Sequence, residues 1–517
     1  MEDTQRYFKQ AGPAERLWLW LEKAVNDAAP SAYNPFYYLG AVCIFFIWII
    51  LVSGLYLFLF YSISAKEAYP SVEALTHGQW YLGGVMRSLH RYASDGLVIA
   101  AILHTLRCYV LDRYRHWRKV AWVSGVIIAW IIIIGGIIGY WMVWDKRAQL
   151  IALLSSRLIE AVPIFGLPLS LSFSRLETLT NNFFYIILFI HFTTLFVIFL
   201  LIMVHISRIT KSIINPPKAV SYGIVLVLLA LAFLKPAVSA PAADIKTLPL
   251  DVPFDWFFMF IFPLLKYFSE HQVWFFTAGL TLAFAAVPWL AWGKAVRNPA
   301  AKVTLSNCTG CELCVEDCPY QAIQMIKRTD GQTYDLEAVV MSNRCASCGI
   351  CAGACDYNAI NLPNISEDMV KDAITRHCRE LDGKADKKVI AFFCAKGAGI
   401  EGASGGRIQD AEWVRAVHLP CIGMLQPSMI ALALDEGADG VFVAGCRQGD
   451  CSYRTGNAWF AGRLAGLRPP VVRKSVDRSR IRAVWLSAVE NEALMGELRS
   501  FYAGLKKKGV EPPQGVS

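Results

Sequence analysis

The feature that most constrains this chain is a series of long apolar runs confined to its first 297 residues. A helix that crosses the hydrocarbon core of a bilayer needs about 20 apolar residues. The run at 254–268 is too short and suggests a re-entrant or interfacial segment. Hydrophobic residues make up 55% and charged residues 18% of the chain, which excludes a disordered protein and a nucleic-acid-binding basic tail. We predict six spans, at roughly 36–61, 85–111, 121–144, 183–209, 220–238 and 272–293.

Basic residues predict the orientation of these spans. Arg6, Lys9, Arg16 and Lys23 precede the first span, and positively charged flanking segments stay on the cytoplasmic side. Six spans return the chain to the same side. We therefore expect both termini and the whole soluble region in the cytoplasm.

Two pairs of histidines lie inside predicted spans. His90 and His104 are on the second span and His191 and His205 on the fourth, and the members of each pair are 14 residues apart. Fourteen residues are about four helical turns, so each pair shares one helix face, with its members ~21 Å apart along the axis. Two such helices could hold two stacked haems, each between one imidazole from either helix. The alternative is that these histidines are polar groups satisfied within a bundle.

Glycines repeat the same interval. Gly40 and Gly54 in the first span, and Gly125 and Gly139 in the third, are also 14 residues apart. Glycines in spans often mark close helix packing. Because their period matches that of the histidines, we predict that they give clearance to a flat macrocycle.

The soluble region, 298–517, holds thirteen of the fifteen cysteines, most of them in C-x-x-C clusters. Two runs interlock, and the fourth cysteine of such a run serves the other cluster. Zinc is the alternative for any C-x-x-C pair, but it does not need two interlocked runs. The predicted ligands are Cys308, Cys311, Cys314 and Cys355 for one [4Fe–4S] cluster, and Cys345, Cys348, Cys351 and Cys318 for the second.

Residues 33–210 resemble the cytochrome b of respiratory bc complexes and, more closely, its photosynthetic relative. The segments 84–91, 104–107 and 203–205 carry this resemblance. It implies an outer haem b on His90 and His191, an inner haem b on His104 and His205, and haem propionates neutralised by Arg87 and Arg107. Tyr38 stands where the photosynthetic form attaches a further haem through cysteine, so no such haem is expected.

The segment 253–257, Pro-Phe-Asp-Trp-Phe, lies where that family carries Pro-Glu-Trp-Tyr at its outer quinol-oxidation site. The resemblance implies that Asp255 accepts a quinol proton, with Trp256 and Phe257 packing around the quinone ring. A carboxylate near the head group is a suitable proton acceptor. The alternative is that Asp255 caps a helix starting at Trp256.

Residues 389–508 alternate strands with helices. Strands are predicted at 389–394, 414–419, 440–444 and 481–486, and helices near 426–436, 456–466 and 489–507. Segments 419–434, 437–453 and 485–492 resemble the delta subunit of methyl-viologen-reducing hydrogenase, which passes electrons to flavoproteins of the heterodisulfide-reductase type. Cysteines at strand ends suit a [2Fe–2S] cluster, and the alternative is a set of reduced, unligated thiols. Its predicted ligands are Cys394, Cys421, Cys446 and Cys451.

One glycine-rich motif and three further cysteines are not assigned to a cofactor. Residues 397–402 spell G-x-G-x-x-G after a strand, but a dinucleotide site needs a helix opening on those glycines. The glycine-rich sequence that follows favours a loop. Cys108 and Cys378 have no partners by spacing and are expected to be inert, and Cys43 is expected to be a core residue.

The predicted fold class is an all-α membrane helix bundle followed by an α+β ferredoxin-like domain and an α/β iron–sulfur domain. The predicted divisions are 1–32, a cytoplasmic N-terminal segment; 33–215, a di-haem four-helix bundle; 216–297, two further spans with a quinone-site-like loop; 298–365, the two-cluster domain; 366–388, a linker; 389–508, the [2Fe–2S] domain; and 509–517, a tail.

The predicted function is a membrane electron-transfer subunit of a quinone-linked oxidoreductase. It would connect a cytoplasmic flavoprotein dehydrogenase, of heterodisulfide-reductase or NAD(P)H type, to the quinone pool of a bacterial or archaeal cytoplasmic membrane. The expected partners are quinone, that flavoprotein, the lipid bilayer and a second cytochrome b copy in a dimer, with no nucleic acid. One alternative is the cytochrome b of a bifurcating quinol-oxidising complex with a separate Rieske partner or other cytochrome subunits; another is a membrane redox sensor.

Overall fold

The structure is a computed structural model that describes residues 12–162, 179–207, 212–247, 249, 252, 254–290, 299–397, 406–408 and 411–506. Pro253, residues 398–402 of the glycine-rich motif and the predicted tail at 509–517 lie outside these ranges. The chain forms two compact units. One comprises Tyr38–Ser207 with Ile213–Leu290, and the other Met1–Tyr37 with Arg208–Ser212 and Ala291–Ser517.

The first unit is helical. Its helices are numbered from α2, because α1 (Pro13–Ala28) belongs to the second unit. The helices that follow it, all in the first unit, are α2 (Leu39–Phe60), α3 (Ala68–Glu73), α4 (Val85–Val110), α5 (Lys119–Val143), α6 (Lys146–Glu160), α7 (Asn181–Ile206), α8 (Lys218–Leu234) and α9 (Glu270–Ala286).

Five helical stretches in the described residues are long and apolar enough to cross a membrane: Ser31–Phe60, Trp80–Val110, Lys119–Val143, Asn181–Ile206 and Glu270–Trp289. The fifth predicted span, 220–238, corresponds to α8, which is apolar but has only 17 residues. At 1.5 Å per residue, this helix is about 25 Å long, slightly less than the hydrocarbon thickness. The structure therefore gives five candidate spans and one shorter apolar helix.

Helix α6 was not predicted from the sequence. Asp145 caps it by accepting the N–H of Ala148 at 2.8 Å, and its other carboxylate oxygen accepts the N–H of Ala240 at 2.8 Å. Ala148, Ile151 and Ala152 on one face of this helix are fully buried. A search for continuous apolar runs misses α6 because its polar residues alternate with these buried ones at the helical period.

The second unit contains two short antiparallel pairs and one larger sheet. Strands β1 (Lys302–Val303) and β4 (Ile360–Asn361) pair, as do β2 (Ile323–Lys327) and β3 (Leu336–Val340). The larger sheet has the order β6-β7-β5-β8-β9, parallel except for the edge strand β6. Its strands are β5 (Val389–Cys394), β6 (Arg407–Ile408), β7 (Ala411–Leu419), β8 (Gly440–Cys446) and β9 (Ile481–Leu486).

Helices of this unit, after α1, are α10 (Leu313–Asp317), α11 (Ile350–Gly353), α12 (Glu367–Leu381), α13 (Pro427–Asp435), α14 (Gly456–Leu464) and α15 (Asn491–Gly504). The larger sheet is buried on both faces. Alternate residues of β5 point into two different cores, with Ile390 and Phe392 in one and Val389 and Phe393 in the other, as the two-residue period of a strand requires.

The prediction of a linker at 366–388 is wrong. Ser366 caps α12 by accepting the N–H of Met369 at 3.2 Å. Val370, Ile374 and Leu381 of this helix are buried in the core. Their helical spacing makes one face of α12 apolar, and that face is covered by packing rather than by solvent.

The division between 298–365 and 389–508 is likewise not a division in space. One hydrophobic core contains Ile323 and Ala352 from the cysteine-run region together with Phe392, Leu419 and Phe460 from the α/β region. The N-terminal segment joins the same unit, since Ser31 donates to Glu490 at 2.7 Å. The second unit is thus a single packed body rather than two domains on a linker.

Candidate haem and iron–sulfur sites

The structure brings the four span histidines together in the predicted pairs. The ring centroids of His90 and His191 are 6.3 Å apart, and those of His104 and His205 are 6.5 Å apart. Each pair joins α4 to α7. Two levels, each with one imidazole from either helix, are the arrangement that two bis-histidine haems require.

Hydrogen bonds orient two of these imidazoles. Nδ1 of His90 lies 3.0 Å from the carbonyl oxygen of Ile50. A carbonyl can only accept, so Nδ1 carries the proton and Nε2 keeps its lone pair. Nδ1 of His205 lies 3.0 Å from the Ser124 hydroxyl. Fixing the tautomer through the second ring nitrogen is the usual way in which proteins prepare a histidine ligand.

The repeated glycines make room for the imidazoles themselves. A Cβ at Gly54 would lie 2.9 Å from Cε1 of His90, and one at Gly40 would lie 3.3 Å from Cε1 of His104. The corresponding distances are 3.2 Å from Gly125 to His205 and 3.3 Å from Gly139 to His191. In each case the nearest protein neighbour is the histidine ring of the facing helix, and clearance for the macrocycle stays a prediction.

The two arginines expected at haem propionates lie on the histidine helix α4. Arg87 contacts Thr76, donates to Ser239 at 2.7 Å and lies 3.5 Å from the Glu73 carboxylate. Arg107 is 6% exposed, one turn beyond His104. Both positions stay candidates for propionate binding.

Asp255 is buried in a charged network. One carboxylate oxygen accepts the N–H of Phe257 at 2.7 Å. This hydrogen bond caps the turn that follows, rather than the helix expected in the alternative role. The other carboxylate oxygen accepts from Arg91 at 2.7 Å and from the Tyr140 hydroxyl. Arg91 also pairs with Asp95. A charged residue within a span is itself a signal of function, and Arg91 and Asp95 carried that signal in the sequence.

The residues predicted to pack a quinone ring differ in exposure. Trp256 is 77% exposed and contacts the ring of Phe254, whereas Phe257 is partly buried. The segment after Asp255 is a series of turns followed by a short 3-10 helix, Phe262–Lys266, rather than a helix starting at Trp256.

Asp255→Asn is expected to slow quinone turnover by about 100-fold, the scale of a lost acid–base group. Asparagine can still accept the Phe257 N–H but cannot take up a proton. Quinol-analogue oxidation and haem spectra would be measured together, with Asp112→Asn, an exposed carboxylate, as the control. Unchanged turnover with unchanged spectra would leave Asp255 only its capping role.

The two ferredoxin-type runs line two separate cavities. Each cavity contains the four cysteines predicted for one cluster, including the exchanged fourth member: Cys308, Cys311, Cys314 and Cys355 in one, and Cys318, Cys345, Cys348 and Cys351 in the other. Burial raises the pKa of the Cys314 thiol to about 12. Such thiols become thiolates when a metal offsets the cost of burying their charge.

Backbone N–H groups point at several of these sulfurs. Cys318 Sγ accepts from Ala322 at 3.3 Å, Cys345 Sγ from Ser347 at 3.4 Å and Cys355 Sγ from Ala359 at 3.3 Å. Hydrogen bonds to sulfur are among the means by which proteins set cluster potentials. These residues therefore fit two [4Fe–4S] clusters.

The four remaining predicted ligands, cysteines at strand ends, form a closed ring. Cys394 ends β5 and Cys446 ends β8, with their sulfurs 3.4 Å apart. Hydrogen bonds join Cys421 and Cys446 each to both Cys394 and Cys451, lowering the pKa of the Cys394 and Cys451 thiols. All four are at most 7% exposed. We call this group the four-cysteine site.

Two of the unassigned cysteines are only partly buried, Cys43 and Cys108. Cys378 is 1% exposed and lies 3.8 Å from the Ala433 carbonyl oxygen. Burial raises the pKa of its thiol to about 11. A neutral thiol in apolar surroundings behaves as a small core residue.

Comparison with known proteins assigns each region. The family model for cytochrome b/b6/petB matches residues 24–212, that for the 4Fe–4S dicluster domain 307–359, and that for the delta subunit of methyl-viologen-reducing hydrogenase 389–509. Cytochrome b6 of Desmonostoc sp. is 31% identical over 149 residues, 29% of this chain and 69% of that protein. The chain belongs to the cytochrome b family.

The C-terminal region of the chain is also similar to a known protein. An iron–sulfur subunit of the F420-non-reducing hydrogenase vhc of Methanococcus voltae is 32% identical over 126 residues, 24% of this chain and 88% of that protein. A chain of a hyperthermophilic respiratory Complex III is similar with a TM-score of 0.40 and 17% identity, over 50% of this chain and 76% of that one.

This cytochrome b fusion is therefore an integral membrane protein of electron transport. Its cytochrome b region takes haem b and its dicluster region takes [4Fe–4S] clusters. The predicted fusion of a cytochrome b, a 4Fe–4S dicluster domain and a hydrogenase delta-subunit-like domain is confirmed.

Proposed function

We propose that this cytochrome b fusion is the membrane subunit that carries electrons between a cytoplasmic flavoprotein and the quinone pool. The observation that carries the proposal is that three four-cysteine groups share one packed unit on the same chain as two stacked histidine pairs. When bound, haems and clusters of these kinds exchange one electron at a time.

The proposed ligands are those that the geometry groups together. The pair His90 and His191 would hold the outer haem and the pair His104 and His205 the inner one. Ile50 and Ser124 would keep two of these imidazoles in the ligating tautomer. The two cysteine cavities would each hold one [4Fe–4S] cluster, and the four-cysteine site a [2Fe–2S] cluster.

The coordination of the histidine pairs and the burial of the four-cysteine site favour electron transfer over other chemistry. Bis-histidine coordination leaves no open position on the metal, so the histidine pairs fit electron carriers rather than oxygen-binding sites. The four-cysteine site lies in a core from which water is excluded. The oxidation or reduction of the dehydrogenase substrate belongs to the flavoprotein in this proposal, and this chain is assigned only the quinone reaction.

The partner class follows from the C-terminal region. Its relatives are hydrogenase subunits by name, and a flavoprotein of heterodisulfide-reductase or NAD(P)H type would convert two-electron chemistry into single electrons. We place the second unit and both termini in the cytoplasm, on the basis of the charged flanks of the first span. Asp255, Trp256 and Phe257 are the proposed quinone contacts.

Cys446→Ser tests this proposal. We expect it to abolish haem reduction by the dehydrogenase substrate in the intact complex, yet to leave haem reduction by a quinol analogue largely unchanged, because it removes a ligand of the four-cysteine site alone. Both reductions would be followed by haem absorbance. Cys378→Ser, at an equally buried cysteine outside the site, is the matched control.

Equal loss of both reductions in Cys446→Ser would assign the α/β region a structural role. An unchanged reaction with the dehydrogenase substrate would mean that electrons enter elsewhere. A Rieske protein co-purifying with the complex would favour the bifurcating alternative.

A further inference from the structure

The four-cysteine site lies against one of the two [4Fe–4S] sites. Ile350, which stands between Cys348 and Cys351, is fully buried. Its Cγ1 lies 3.0 Å from the position that a Cβ would take on Gly423. Its Cδ1 lies 3.5 Å from the position that a Cβ would take on Gly456. Gly423 is two residues after Cys421. A Cβ on Gly456 would lie 2.1 Å from the Cys421 sulfur.

Two further side chains fill the space between these sites. Gly349 follows Cys348 with a φ of +77°, and a Cβ there would lie 2.7 Å from Sδ of Met424. Tyr453, two residues after Cys451, is 8% exposed and lies within electrostatic range of both Cys348 and Cys421. The space between the two sites is thus filled by protein atoms.

A buried ion pair fixes this contact. Asp317 directly precedes Cys318 and pairs with Arg463, which is fully buried. Arg463 also donates to the carbonyl oxygen of Gly423 at 2.8 Å. Arg468 donates to the other Asp317 oxygen at 2.6 Å. The Arg463 guanidinium therefore contacts the residue before Cys318 and a carbonyl oxygen two residues after Cys421.

Fewer such contacts reach the other [4Fe–4S] site within the described residues. The cavities of both sites are lined by residues between Ala301 and Leu362, so the two sites differ in the groups that pack behind their cysteines. One side chain of the α/β region approaches it: Gln426 donates to the carbonyl oxygens of Ala352 and Cys355. That contact reaches backbone oxygens and not a thiol.

We propose an order for the three sites. The four-cysteine site exchanges electrons with the site of Cys318, Cys345, Cys348 and Cys351, and only through it with the site of Cys308. Asp317 and Arg463 are the positioning residues that hold the first two sites together. Each step moves one electron, so that one site is oxidised as its neighbour is reduced, with no bond made or broken. This inference rests on the proposed function, because it requires a cluster in the four-cysteine site.

Electron paramagnetic resonance of the dithionite-reduced full-length protein tests the order. Magnetic coupling between two reduced clusters falls with the cube of their distance, so the signal of the four-cysteine site should be split by its nearer neighbour. We expect Cys348→Ala to abolish this splitting and Cys311→Ala, the same change at the other site, to retain it. Cys345→Ala serves as a second variant should Cys348→Ala fail to fold. Iron analysis would verify the loss of one cluster in each.

A splitting that disappears in Cys311→Ala and persists in Cys345→Ala or Cys348→Ala would overturn the order while leaving the proposed function intact. Absence of the four-cysteine signal in the unmodified protein would overturn both. Asp317→Asn keeps every cysteine, and we expect full iron content with a reduced splitting. An unchanged splitting in that variant would overturn the positioning role of the ion pair.

Discussion

His104→Ala is expected to lower the haem content of the purified protein to half. The imidazole of His104 faces that of His205, and alanine offers no ligand, so a haem held at that level would lose one of its two imidazole ligands. The pair of His90 and His191 is on a separate level of the bundle and should keep its haem. The ratio of haem to protein, from the pyridine haemochrome spectrum, measures the effect.

The same variant should also disconnect the clusters from the remaining haem, because the missing haem lies between them in the proposed path. His77→Ala is the matched control: His77 lies in the same unit, is 66% exposed and pairs with Glu73 at 3.2 Å. It should retain full haem content. Two haems at full occupancy in His104→Ala would contradict the ligand assignment.

Asp317→Ala is expected to destabilise the second unit strongly. It leaves the fully buried Arg463 without its carboxylate, and removal of one partner from a buried ion pair costs about 3–5 kcal/mol. For a unit of this size, that corresponds to roughly 10 °C in the temperature at which the iron–sulfur absorbance is lost.

Glu497→Ala removes one partner of an ion pair with Arg482, in which the two side chains are 39% and 53% exposed. Exposed pairs contribute about 0–1 kcal/mol, so this control should unfold within a degree or two of the unmodified protein. Equal melting of the two variants would mean that neighbouring groups or water neutralise Arg463 without Asp317.

Local patterns in the sequence predicted much of this molecule. The strands at 389–394 and 481–486 were predicted with the bounds that the structure gives. The first is a continuous apolar run, as is usual for a buried parallel strand. The cysteine sets of the two cavities followed from spacing alone, since the interlocked motif specifies which cysteine crosses over.

Contacts between distant segments were not predictable in this way. Asp317 and Arg463 are 146 positions apart. In the sequence, nothing distinguishes either residue from an ordinary charged surface residue. The short edge strand β6 is held by pairing with β7 rather than by its own two residues. The linker prediction failed for the same reason: α12 is stabilised by a core that only the folded sheet completes.

The pairing of each glycine with one imidazole has a consequence for insertions and deletions. One extra residue in α2 between Gly40 and Gly54 would turn half of the helix by about 100° and advance it by about 1.5 Å. At most one of the two histidines on α4 would then still face a glycine. Even seven added residues, which almost restore the rotation, would move the second glycine about 10 Å away from its ring. The number of residues between the glycines thus matches the distance between the two histidine levels along the bundle. We expect a change in that number to disrupt the site more than most substitutions elsewhere on these helices.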